Sequence, residues 1–170
     1  MKFVRIFLQG VGALAIVGGA AIAIFLFRSF SGSSKVTDRD DAVFVLNWAE
    51  MKPAQNWSLI DANKSARNMT GDHADHYCIQ LEDAAVDPSP HESWRFGPEP
   101  DEKLSEALDL AIQLAASEGA GCIPSFELAN SNQTMIRFWS VTLHDRRPTA
   151  AQVLLLHPAS KRLFLISFKT

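Results

Sequence analysis

The chain has 170 residues, with 16 basic and 19 acidic side chains, and so a formal net charge of −3. Its mean hydropathy of zero averages a very apolar N-terminus with a more polar remainder. Lys2, Arg5 and Arg28 belong to the N-terminus, which leaves 13 basic against 19 acidic side chains beyond it, a balance that excludes a general nucleic-acid or anionic-lipid binder.

The first element is the run from Ile6 to Phe27, in which Gln9 is the only strongly polar side chain and no residue is charged. It is long enough to span a hydrocarbon core of roughly 30 Å as a helix. Lys2 and Arg5 form a basic n-region, and Ala21-Ile22-Ala23 satisfies the small-x-small cleavage rule. Ile24-Phe25-Leu26-Phe27 follow at once, however, and this favours an uncleaved signal anchor that contacts membrane lipid through residues 6–27. Flanking charges are nearly tied, with Lys2 and Arg5 before the run and Arg28, Lys35 and Arg39 after it. The short basic N-terminus tips the expectation to a cytoplasmic N-terminus with the soluble domain outside, periplasmic in a Gram-negative cell. Ala15, Gly19 and Ala23 form a small-xxx-small ridge that could bring two copies together as a homodimer.

Residues 29–36 read as a flexible linker around Ser31-Gly-Ser-Ser34, and residues 37–170 as one soluble domain. Asp38, Asp40 and Asp41 precede Ala42 to Met51, an order that suits a helix N-terminus. Trp57 to Thr70 spaces Leu59, Ala62, Ala66 and Met69 loosely as a helix, closed by Gly71. Tyr77 to Glu82 reads as a strand, and Asp87 to Pro100 as an extended surface loop. Asp101 to Glu118 is the clearest helix, with Leu104, Leu108, Ala111, Ile112 and Ala115 on one face. Strands follow at Thr134–Leu143, Gln152–Leu156 and Leu163–Phe168, and the short connection from His157 to Arg162 makes the last two an antiparallel hairpin. The expected architecture is therefore α+β: an N-terminal single transmembrane helix, then a soluble domain with an antiparallel sheet packed against one long helix.

Cys78 and Cys122 are the only cysteines. With the domain in an oxidising compartment they would close one disulfide loop of about 45 residues. Gly71-Asp-His-Ala-Asp-His76 sets His73 and His76 three apart, with Cys78 two further on. On a helical turn the two imidazoles would point the same way toward a metal such as zinc, although using Cys78 as a ligand would exclude the disulfide.

No Gly-x-Ser-x-Gly, His-Glu-x-x-His, phosphate-cradling or dinucleotide motif is present, so the sequence implies neither a catalytic centre nor a cofactor. His144-Asp145 and His157 fall at predicted strand ends, where catalytic groups often sit, and turn roles compete with that reading. Trp94 and Arg95, in the proline-rich loop, are the first candidates for a partner contact, with core packing as the alternative for Trp94. Charge is also polarised: Asp72 to Glu118 is strongly acidic and Thr134 to Thr170 basic. The residues thus leave three functional readings. One is an outward-facing protein-interaction module with an unidentified protein partner, one an envelope enzyme near His144, Asp145 and His157, and one a metal-responsive sensor through His73 and His76.

Overall fold

The computed structural model describes residues 16–22, 24, 32–51, 56–68, 70–82 and 93–170. Of the run Ile6–Phe27, residues 16–22 and 24 are helical and exposed. Among the described residues no helix is long and apolar enough to cross a membrane, and the expected transmembrane helix is corrected accordingly. The rest of the run lies outside the described residues, including Ala15 and Ala23 of the small-residue ridge; Gly19 is exposed with nothing within 4 Å of its Cβ position.

The chain forms a single antiparallel sheet of seven strands with helices. Its strands are β1 (Ser34–Lys35), β2 (Trp57–Lys64), β3 (His73–Leu81), β4 (Arg95–Phe96), β5 (Met135–His144), β6 (Arg147–His157) and β7 (Arg162–Lys169), in the order β1-β2-β3-β7-β6-β5-β4. The helices are α1 (Val43–Trp48), preceded by a 3-10 turn at Asp40–Ala42, α2 (Glu102–Ser117) and α3 (Phe126–Ala129).

α2 behaves as its sequence requires. The Asp101 carboxylate caps it, accepting from the Lys103 and Leu104 amides at 2.9 and 3.2 Å, and Gly119 closes it at a φ of +82°. Ala107, Leu108, Ala111, Ile112 and Ala115 are buried against Cys78, Ile136, Val153, Leu155, Phe164, Ile166 and Phe168. The expectation of one long helix on the sheet is incomplete, because the opposite face is covered too. There Val45, Leu46 and Ala49 of the α1 segment pack on Tyr77, Ile79, Leu81, Leu154, Leu156, Leu163 and Leu165. Strand alternation divides the sheet between these two cores, and β7 supplies both, Leu163 and Leu165 to one and Phe164, Ile166 and Phe168 to the other.

The stretch from Trp57 was expected to be helical and is instead a strand through Lys64. A bulge explains the misleading spacing. Leu59 opposes Ile79 while Asp61 opposes Cys78, so Ile60 is the extra residue and the inward phase slips from odd to even positions. Trp57, Leu59 and Ala62 all reach the α1-side core despite their unequal spacing.

Candidate functional site

Two places on this sheet gather chemistry. The first is the open end. β4 pairs with β5 only at Ile136 and Met135, so among the described residues the outer edge of β5 from Arg137 to His144 has no strand beside it. β5 carries a bulge between Phe138 and Ser140, which leaves Trp139 as the extra residue. Trp139 stacks on Trp48 with ring centroids 5.6 Å apart and planes within 8°, yet remains 48% exposed. The Arg137 guanidinium lies 5.2 Å from the Trp139 ring and reaches Glu50 at 2.5 Å. Arg137 is itself buried. From Trp48 the aromatic row runs inward edge to face, through Phe44 at 5.0 Å to Tyr77 at 5.1 Å. Burial, followed by the nearby Asp75 charge, pushes the Tyr77 phenol up to about 12.

Trp94 and Arg95 stand at the same end. Trp94 is half-buried and its Nε1 donates to the Ala49 carbonyl at 3.4 Å, so its ring packs against the α1-side core. Arg95 is exposed and pairs with the buried Glu99 at 2.5 Å. Phe96, beside Met135, is 55% exposed. Gly97 has to be glycine, since a Cβ there would meet the Ser131 carbonyl oxygen at 2.7 Å.

The second place is a covered corner at the other end of the sheet. Cys78 of β3 and Cys122, in the loop after α2, form a disulfide pair with Cα atoms 6.3 Å apart. His76, two residues from Cys78 on the same face of β3, is 1% exposed and meets the Asp61 carboxylate through Nε2 at 3.4 Å. Asp61 owes its place here to the bulge at Ile60, which turns it onto the α2 face opposite Cys78. Lys35 of β1 closes over it at 3.3 Å. Burial raises the Asp61 carboxyl, but hydrogen bonds to His76 and Lys35 outweigh it and hold the group below its ordinary range. One ligand-type atom from each of Asp61, His76 and Cys122 lies within 4.8 Å of the other two.

The expected pair His73 and His76 is not brought together. Both sit on β3, where residues three apart point to opposite faces. His73 turns instead to the Gly71 carbonyl at 2.9 Å and the Ser167 hydroxyl at 3.2 Å. His144, Asp145 and His157 do not converge either. His144 pairs with Arg147 at one end of β6 and His157 ends that strand, which separates them by about 30 Å at roughly 3.3 Å per residue. His144 and Asp145 are exposed in the turn, and His157 bonds the Ser160 hydroxyl at 2.7 Å. Surface depressions open beside His73 and Lys169, and between Arg39 and Gln80, and neither is lined by His144 or His157.

The residues that sequence reasoning missed are Asp61, Trp139, Arg137 and Trp48. Asp61 and Trp139 are placed by bulges, which disturb the two-residue alternation that would have pointed to them. No family model, no curated protein and no solved structure matches the chain, so its function has to be argued from these residues.

Proposed function

We propose that the domain is a protein-interaction module that works outside the cytoplasm and takes an extended, acidic segment of a partner protein along the open edge of β5. The observation that carries this reading is the outer edge of β5 from Arg137 to His144, which has no strand beside it among the described residues and is flanked by exposed Trp139 and Phe96. An open edge offers unpaired amides and carbonyls to an added strand, and the aromatic groups beside it supply apolar contact area. The bulge at Trp139 twists that edge, which disfavours flat pairing of two whole sheets and suits a short peptide. Acidic character in the partner follows from the exposed Arg146 and Arg147 at the β5–β6 turn. The extracytoplasmic setting is supported by the Cys78–Cys122 pair, because such bonds persist in oxidising compartments.

The test is a selection of displayed peptides against the purified chain, followed by titration of the enriched sequences. The reading expects extended segments that alternate apolar and acidic residues, with binding at least about 10-fold weaker to Trp139→Ala and also reduced by Arg147→Glu. Helical or sequence-indifferent binders, or binding untouched by both substitutions, would refute it.

A further inference from the structure

The corner around Cys78 and Cys122 holds more than a disulfide requires. A buried imidazole and a half-buried carboxylate stand within 4.8 Å of the Cys122 sulfur. His76 Nδ1 has no hydrogen-bond partner among the described residues, although the ring is 1% exposed. The other ring nitrogen, Nε2, faces the Asp61 carboxylate at 3.4 Å and is the one placed to share a ligand with it. Three different elements deliver the groups: β2 gives Asp61, β3 gives His76 and Cys78, and the loop after α2 gives Cys122.

We infer that opening the Cys78–Cys122 disulfide turns this corner into a zinc-class metal site, with the two cysteine thiolates, the His76 imidazole and the Asp61 carboxylate as its four ligands. The donor set fits the metal, which takes sulfur, imidazole nitrogen and carboxylate oxygen in tetrahedral sites. Tetrahedral ligand atoms around zinc lie about 3.3–3.8 Å apart, given bonds of about 2.0–2.3 Å. The ligand atoms of Asp61, His76 and Cys122, now within 4.8 Å of one another, need to close by about an ångström while the Cys78 and Cys122 sulfurs part from bonding distance, and Cys122 can move because it sits in a loop and is only half-buried. Lys35, whose side chain is 74% exposed, can swing away from Asp61 at little cost.

The chemistry balances with a dithiol reductant. It delivers two electrons and two protons to the S–S bond, leaves as its own disulfide, and gives two protein thiols. Zinc then binds both sulfurs as thiolates and displaces the two thiol protons to solvent. The same four side chains would thus have two covalent states, sulfur bonded to sulfur or sulfur bonded to metal, and the reduction state would decide between them. This site is independent of the β5 edge and does not rest on the peptide-binding reading.

The experiment titrates cobalt(II), as a spectroscopic stand-in for zinc, into the full chain in its oxidised and reduced forms. The expected result is 1:1 binding to the reduced chain only, with the intense visible bands of tetrahedral cobalt and a thiolate charge-transfer band, both erased by added zinc. Asp61→Asn and His76→Gln should each weaken binding at least about 10-fold in the reduced state. Their oxidised forms, compared by circular dichroism, show whether the fold is kept; Asp61, being half-exposed, is the milder change. Equal binding by oxidised and reduced protein would overturn the inference. So would affinity unchanged by both substitutions, which would mean chelation by the two thiols alone, and so would a reduced chain that unfolds and is not refolded by zinc.

Discussion

The corner at Asp61 and the edge at Trp139 are made by one device with opposite results. Each is a bulge that inserts one residue into an antiparallel pair. In β2 the slip turns a carboxylate onto the face of Cys78, where it meets His76 and comes near the Cys122 sulfur. In β5 the slip turns an indole onto Trp48, with half its surface left to solvent. The neighbours decide the outcome. β1 pairs with β2 at Asn63 and Lys64, next to the bulge, and its Lys35 side chain reaches Asp61, whereas β4 stops at Met135 and Ile136 and, among the described residues, sends nothing from its strand to the bulge at Trp139. The extra residues themselves, Ile60 and Trp139, are both about half exposed, so what differs is the partner each bulge finds: a buried imidazole for the residue after Ile60, and an indole for Trp139.

The largest expected effect comes from breaking the covered corner. Replacing both cysteines with serine removes the constraint on a loop with a sequence separation of 44 residues. The chain-entropy relation makes that a loss of about 4 kcal/mol, to be read from urea denaturation of the oxidised wild type against the double variant.

The aromatic row joining the edge to the centre of the sheet gives the next effect. Tyr77 is the only tyrosine, so the near-ultraviolet phenolate absorbance of the folded chain titrates this residue alone. It should ionise near pH 12 rather than at the ordinary 10.0. Because the folded protein holds this proton more tightly than the unfolded chain, the resulting stability is whole below pH 10 and is lost as the pH rises toward 12. The loss amounts to about 2 kcal/mol, and Tyr77→Phe should not show it. The smallest effect belongs to the edge itself. Trp139→Ala should lower stability by only about 1 kcal/mol, since the ring is half out in solvent, while abolishing the fluorescence contribution of the Trp48 stack.

Regular elements were legible in the sequence because nothing interrupts their period. Asp101 through Glu118 carries its cap, its apolar face and its closing glycine in the expected places. The hairpin across His157–Arg162 followed from the shortness of the connection alone. The strand from Tyr77 was correctly typed but began earlier, at His73, and this undid the metal pair: three residues apart is one face on a helix and two faces on a strand. The stretch from Trp57 failed for the opposite reason, since its bulge mimics a helical spacing of apolar residues. The cysteine pair was found by count, whereas Asp61 lies 15 residues from His76 and only strand pairing joins them.

The open edge is the feature on which the proposed function depends, and amide hydrogen exchange of the oxidised full chain tests it most directly. The account predicts slow exchange through β7 and from His76 to Leu81 of β3, which have a strand on both sides, and fast exchange at the outward amides between Arg137 and His144. Uniform slow exchange along β5 would mean that another part of the chain already covers that edge, and would contradict the account.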